Sequence, residues 1–260
     1  MIRTRNSWQI MADTIFALIM RELRSRYGNG RLGYFWALAV PAAQAAVMVL
    51  IFSSIGRKSL TGVPVALFML VSLLPFKMFF KTLTQVSGAI DANAGLLSYR
   101  QVVALDPVIA RVLLEFFHFI LVAFILFSGL GWLGVDVLPD RFLELLLACI
   151  LLALLANGCG LVVCSVALYW DSVNKVISVL MTPMMLFSGV FFAASMIPEQ
   201  YWHLIAWNPV FHALELMRDA WFRSYATPAG SWEYLIMAVV LSNSLGLMLY
   251  WRNRERFILS

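Results

Sequence analysis

The sequence predicts an all-α integral membrane protein with six transmembrane helices, an N-terminal interfacial helix and an outer re-entrant helix pair. Three observations carry that reading. Hydrophobic residues make up 62% of the 260 and charged residues 13%, whereas a soluble domain is roughly half apolar and a quarter charged. The segments 32–55, 63–88, 107–133, 142–170, 173–192 and 232–251 each reach the about 20 apolar residues that cross a bilayer core. Lys and Arg are also distributed unevenly between the two sides those spans define. Little sequence is left for a soluble domain, so 1–260 is expected to be one membrane unit.

The elements follow in order. In 8–27, Trp8, Met11, Ile15, Leu18 and Ile19 recur at three-to-four-residue spacing, and Arg21, Arg24 and Arg26 fill the end. That pattern predicts an amphipathic helix lying in the membrane interface. It serves either as an anchor or as a collar that supports a cytoplasmic partner or gathers anionic substrate. Gly28 and Gly30 stop it, and the segment 1–31 lacks the compact apolar core and cleavage site of a signal peptide. Pro75 in the second span is expected to free a carbonyl and bend that helix. The stretch 91–106, with Asn93, Leu96, Leu97, Tyr99, Arg100 and Val103, predicts a short amphipathic helix. It either tidies a loop or docks a partner. Asp106 and Pro107 then read as cap and first-turn proline of the third span.

Cys149, Cys159 and Cys164 all fall in the fourth span at a spacing that fits no zinc or haem pattern, so free buried thiols are expected. Asp171 and Lys175 straddle the turn into the fifth span and are expected to cap helix ends. The segment 195–230 is rich in aromatics and too polar to span. Pro198 opens one short helix there, and Asn208 with Pro209 caps a second. Two short helices dipping into the outer leaflet are expected, which requires protein or a watery cavity around their backbone.

Six spans put both termini on one side. Arg3, Arg5, Arg21, Arg24, Arg26, Arg31, Arg100, Arg111, Lys175, Arg252, Arg254 and Arg256 share that side. Arg57, Lys58, Arg141, Arg218 and Arg223 lie opposite, and Lys77 and Lys81 fall inside the membrane. Positive residues concentrate in the cytoplasm, so both termini are expected there.

Lys77 and Lys81 are the charges that ask for a function. They stand one helical turn apart in an apolar span, and charge at that depth is costly unless paired, hydrated or snorkelling. Lys77 lies about 14 residues from the outer end of its helix, roughly 20 Å along the axis; Lys81 is nearer the inner interface and within snorkelling reach. Two readings stand: an intramembrane ion pair or snorkel, or the cationic wall of a path for an anionic substrate. Arg111 and Glu115, four apart, read as a self-neutralising couple with His118 on the same face. No phosphate-binding loop exists, since Gly56, Arg57, Lys58 and Ser59 lack the earlier glycine and the strand. Nor is there a zinc-protease or nucleophile-elbow motif. The chain is therefore expected to be no enzyme and to hold no cofactor, with any transport energy supplied by a partner or an ion gradient.

Two blocks carry a resemblance. Arg21-Glu22-Leu23-Arg24-Ser25-Arg26-Tyr27 followed by Leu32-Gly33-Tyr34-Phe35-Trp36-Ala37-Leu38-Ala39-Val40-Pro41 resembles the start of ABC-2-type exporter permeases. Trp207-Asn208-Pro209-Val210-Phe211-His212-Ala213-Leu214-Glu215-Leu216-Met217-Arg218 resembles the outer re-entrant region of the same family. Over nearly its whole length the chain looks most like the capsular-polysaccharide branch, the KpsM type of Gram-negative bacteria.

The resemblance implies the ABC-2 (type V) exporter architecture: a homodimer in the bacterial inner membrane, with two copies of a separate ATP-binding cassette subunit holding ATP and Mg. It implies export of a lipid-linked anionic polysaccharide toward a periplasmic adaptor and an outer-membrane pore; nucleic acid is not among the implied partners. By position, Asn93, Leu96, Leu97 and Tyr99 would dock the ATPase, and 195–225 would form the periplasmic gate with Trp202, Trp207, Asn208, Glu215 and Arg218. Charge placement adds Lys77, Lys81, Arg24 and Arg100 to the substrate path, with Tyr34 and Phe80, beside Phe76, Trp170 and Trp207, as sugar-stacking faces. Other ABC-2 substrates (O-antigen, teichoic acid or a drug) and a membrane enzyme acting on lipid-linked sugars stand as alternatives.

Overall fold

The computed structural model describes residues 7–27, 31–54, 59–60, 63–96, 103–170 and 172–259. Helix α1 (Ser7–Tyr27) precedes α2 (Arg31–Ser54), and a small antiparallel hairpin follows, β1 (Ser59–Leu60) with β2 (Val63–Pro64). That hairpin takes the first residues of the predicted second span, so α3 begins at Val65 and runs to Ser87. After a 3-10 turn at Asp91–Leu96 come α4 (Asp106–Trp132), α5 (Phe142–Ala167) and α6 (Val173–Phe187). Short 3-10 turns at Ala194–Met196 and Glu199–Leu204 lead to α7 (Pro209–Trp221) and α8 (Trp232–Leu259).

Four helices among the described residues, at Val65–Ser87, Asp106–Trp132, Phe142–Ala167 and Trp232–Arg254, are long and apolar enough to cross a membrane. Helix α2 runs 24 residues, and α6 is a shorter apolar helix of 15. The fifth predicted span is therefore cut short: Gly189, with φ +70°, turns the chain just beyond Phe187.

Helices α3 and α5 form the inner pair. The first packs against α2, α4, α5 and α7, the second also against α7 and α8. Without a hydrophobic drive between helices in lipid, close backbone approach and interhelical hydrogen bonds hold such crossings. Both are present. A Cβ at Gly158 would lie 2.5 Å from Ser242 Oγ, and one at Gly160 would lie 2.7 Å from the Val86 side chain. Across the same α5–α8 crossing Asn157 Nδ2 donates to Asn243 Oδ1 at 2.9 Å, and Asn243 Nδ2 donates to the Leu154 carbonyl at 2.9 Å. Outward faces stay apolar, as at Phe117, Leu121 and Phe124 of α4 and Val240, Leu241 and Met248 of α8.

Other sequence expectations are met or corrected in detail. Helix α8 continues past Trp251, because Tyr250, Asn253 and Phe257 form an inward stripe while Arg252, Arg254 and Arg256 point out. Its end is tied to α5 and the turn after it: Tyr169 Oη donates to Asn253 Oδ1 at 2.6 Å, and Arg256 covers the Tyr169 ring. Asp106 is the first residue of α4 and not its cap; its carboxylate accepts from the Val103 amide at 2.9 Å. Cys149 and Cys164 are buried free thiols, with Cys159 half-buried. Pro75 sits within a continuous α3. Asp171 lies outside the described residues.

Candidate functional site

The two lysines of α3 part company. Lys81 Nζ lies 3.0 Å from Glu115 Oε2, and that carboxylate is buried. Lys77 makes no ion pair or hydrogen bond among the described residues, and it lies ten residues before the end of α3, about 15 Å along the axis. Both line one cavity of about 530 Å³. Its α3 wall adds Leu74, Met78, Phe80 and Thr84; α2 contributes Trp36, Val40 and Gln44, and α4 contributes His118, Phe119 and Val122. The i, i+4 spacing puts Lys77 and Lys81 on one face of α3, and Glu115 of α4 pairs with the second only.

That pairing overturns the expected Arg111–Glu115 couple. Arg111 Nε donates to Glu22 Oε1 at 2.6 Å, and its Nη1 donates to the Gln85 carbonyl at 2.7 Å. Interhelical partners outcompete the local one because each satisfies a polar group that is otherwise enclosed between α1, α3 and α4. Helix α1 is thereby clamped to the bundle, with Leu18 buried one turn before Glu22. Arg21 Nη2 donates to Asn93 Oδ1, and Asn93 Nδ2 donates to the Ala89 carbonyl at 2.7 Å. Asn93 is thus buried, an inward anchor for the 3-10 turn. Arg24 is exposed on α1, away from the lysine cavity. Leu97, Tyr99 and Arg100 lie outside the described residues, as do the side chains of Tyr34 and Leu96. Phe76 is fully buried and offers no stacking face, while Trp170 is exposed.

A second constellation sits around α7. Asn208 caps this helix as its sequence predicts: its Oδ1 accepts from the Val210 amide at 3.0 Å, with Pro209 as the first helical residue. Its Nδ2 donates to Ser188 Oγ at 2.9 Å, pinning the turn after α6. Glu215 and Arg218 are both wholly buried and face each other at 2.6 Å. Each has its remaining capacity filled. Arg218 Nε donates to Ser72 Oγ of α3 at 3.0 Å, its Nη2 reaches the Gly189 carbonyl, and its guanidinium lies 4.5 Å over the Phe68 ring. Glu215 Oε2 accepts from Tyr225 Oη at 2.5 Å and Thr227 Oγ1 at 2.9 Å, and its Oε1 accepts from the Ala194 amide at 3.2 Å. Burial, with the Glu215 charge alongside, raises the Tyr225 phenol above its ordinary pKa, so the phenol stays protonated and donates.

His212 joins the same structure differently. Its Nδ1 accepts from the Ser231 amide at 3.1 Å, so Nε2 carries the proton and donates to the Ala206 carbonyl at 2.8 Å. Burial lowers its pKa, which keeps this neutral tautomer at neutral pH. Trp202 Nε1 donates to the Ile197 carbonyl at 3.0 Å, and Trp207 Nε1 donates to the Leu204 carbonyl at 2.8 Å. The Trp207 ring remains exposed beside Tyr234, whose Oη donates to the Trp207 carbonyl. The predicted gate residues therefore divide into an enclosed polar clamp (Asn208, Glu215, Arg218) and an indole, Trp207, facing outward. Glu22, Ser72, Tyr225 and Thr227 are partners sequence reasoning missed. Only Glu22 had a visible signal, its position one turn after Leu18 on the inward stripe of α1.

A sequence model described as the ABC-2 type transporter matches residues 13–222, from α1 through α7. The chain is 35% identical over 257 residues to the polysialic acid transport protein KpsM of Escherichia coli, covering 98% of this chain and 99% of that one. It is 33% identical over 236 residues to the capsule polysaccharide export inner-membrane protein CtrC of Neisseria meningitidis serogroup A, covering 89% and 88%. With BexB of Haemophilus influenzae, another capsule polysaccharide export inner-membrane protein, identity is 28% over 249 residues, covering 94% and 92%. This chain, a bundle of apolar, membrane-length helices matched over most of its length, belongs to the ABC-2 type transporter family.

Proposed function

We propose that this chain is the permease of an ATP-driven exporter that moves lipid-linked anionic capsular polysaccharide across the bacterial inner membrane. Full-length similarity to capsule-export permeases supports the substrate class, and the ammonium of Lys77, without an ion-pair partner among the described residues and lining a cavity beside α3, is the structural observation that carries it. An anion crossing hydrocarbon needs a fixed positive group where water is scarce. Glu115 neutralises Lys81, so of the two lysines in this cavity Lys77 is the one left to meet it.

The chain works as a single unit with six spans, α2 to α6 and α8, both termini cytoplasmic, and α1 lying in the interface. Two copies frame the path at a two-fold seam. A separate ATP-binding subunit, in two copies with ATP and Mg, seats on the segment from Asn93 to Tyr99. Asn93 anchors that segment from inside, leaving Leu96, Leu97 and Tyr99 for docking. Around α7, Glu215, Arg218 and Asn208 fix the frame of the periplasmic gate, and Trp202 and Trp207 form its aromatic rim. Arg24 and Arg100 gather anionic substrate at the cytoplasmic face, Tyr34 and Phe80 stack against sugar rings, and a periplasmic adaptor and outer-membrane pore receive the polymer.

Replacing Lys77 tests the reading. In cells whose own copy is removed, Lys77→Ala is expected to lower surface polysaccharide about tenfold, with polymer accumulating inside and the permease at normal membrane abundance. Wild-type export by that variant would remove Lys77 from the path.

A further inference from the structure

We infer that the cavity between α2, α3 and α4 is a waypoint inside the membrane for the singly charged anionic head of an amphiphile, held by Lys77. Charge count comes first. Lys81 is neutralised by Glu115 at 3.0 Å, whereas Lys77 has no partner among the described residues. Beside the His118 imidazole of the same lining, the cavity's two lysines and one carboxylate therefore leave one net positive charge. A phosphodiester or carboxylate matches it; a phosphomonoester, carrying about −1.5 to −2 at neutral pH, leaves negative charge uncompensated.

The lining and volume give the rest of the ligand. Leu74, Phe80, Phe119 and Val122 make most of the wall apolar, while Thr84 and Gln44 supply neutral hydrogen-bonding groups. A volume of about 530 Å³ lies among small-molecule sites, about 300–1,000 Å³. It suits one head group and the start of a hydrocarbon chain, and is too small to enclose a polymer. Depth completes the argument. Lys77 lies about 15 Å from the end of α3, whereas resident lipid heads stay at the interface, outside a hydrocarbon core of about 30 Å. A head group at Lys77 has left that layer and is in passage. That this amphiphile is the lipid end of the exported polymer rests on the functional reading above; the binding chemistry rests on the cavity alone.

Trp36 lines the cavity and serves as the reporter. The full-length protein, purified with the subunits that accompany it, is reconstituted in phosphatidylcholine vesicles. These carry brominated phosphatidylglycerol, brominated phosphatidylcholine or brominated phosphatidate at equal mole fraction. Quenching of Trp36 is isolated by subtracting the Trp36→Phe signal. Brominated phosphatidylglycerol is expected to quench severalfold more than phosphatidylcholine. Lys77→Gln abolishes that excess and Lys77→Arg keeps it, which separates lost charge from lost fold. Glu115→Gln frees Lys81 and moves the preference toward phosphatidate. Equal quenching by the first two lipids, or an excess that survives Lys77→Gln, overturns the site. Lipid-linked polymer from exporting cells, added as competitor, identifies the polymer's lipid end as occupant if it restores Trp36 emission, and a bilayer phospholipid if it does not. Lipid selectivity absent while ATP-driven export continues would sink the waypoint and leave the permease reading standing.

Discussion

Arg218 shows how much one side chain carries here. It is wholly buried, yet its guanidinium is met by Glu215, Ser72, the Gly189 carbonyl and the Phe68 ring. Removing one partner of a buried ion pair strands the other and costs about 3–5 kcal/mol. Arg218→Met is therefore expected to lower the detergent-solubilised protein's unfolding temperature sharply, as is Glu215→Gln to a smaller degree. Trp207→Ala, which removes an exposed ring, is expected to leave that temperature unchanged; a loss equal to that of Arg218→Met would contradict this division. The sequence made Arg218 and Glu215 visible as charges near a membrane, with the cap at Asn208 legible from Asn208 and Pro209 alone. It could not show that Ser72, well over a hundred residues earlier, completes the clamp, because a serine in an apolar helix bonds its own backbone equally well; Ser72 Oγ donates to the Phe68 carbonyl at 2.9 Å. Partner choice failed for the same reason at Arg111. Spacing favours Glu115, but the third dimension brings Glu22 closer.

At the scale of elements, α5 is fitted closely on two sides. Gly158 meets α8 and Gly160 meets α3, each with no room for a Cβ. Overpacking a fitted interior costs about 1–3 kcal/mol, and a displaced α5 shifts two neighbours at once. Gly158→Val is expected to reduce the yield of folded, monodisperse protein on gel filtration several-fold, while Gly129→Val, with open space around it, is expected to be silent. Equal yields of the two variants would show that the α5–α8 crossing yields easily. Helix positions were legible from apolar runs, since length and composition dominate in lipid. Their ends were not: α6 stops at Phe187 because Gly189 adopts a positive φ, a tertiary choice for which any glycine is eligible. Helix α8 outlasts its apolar run because Tyr250, Asn253 and Phe257 share one buried face, a stripe hidden among arginines.

At the scale of the whole molecule, the arrangement joins a cavity at membrane depth to two clamped ends. Arg111–Glu22 and Arg21–Asn93 fix α1 and the turn after α3 at one end, and the Glu215–Arg218 network fixes α7 at the other. Asn93 is hydrogen-bonded to Arg21 of α1 and to the Ala89 carbonyl just after α3, the helix that carries Lys77. The family was legible from two blocks of sequence; the division of labour between Lys77 and Lys81 was not, because it depends on which lysine Glu115 of another helix reaches. The most direct measurement is polymer translocation in vesicles containing this chain, with and without the ATP-binding subunit and ATP. Lipid-linked polysaccharide is supplied to the outer face of the vesicles and scored by the fraction that becomes protected from an added glycan-degrading enzyme. Protection should require the chain, the subunit and ATP together, and should fall about tenfold with Lys77→Ala. Protection that arises with this chain alone and without ATP, at the rate of the full complex, would contradict an ATP-driven permease.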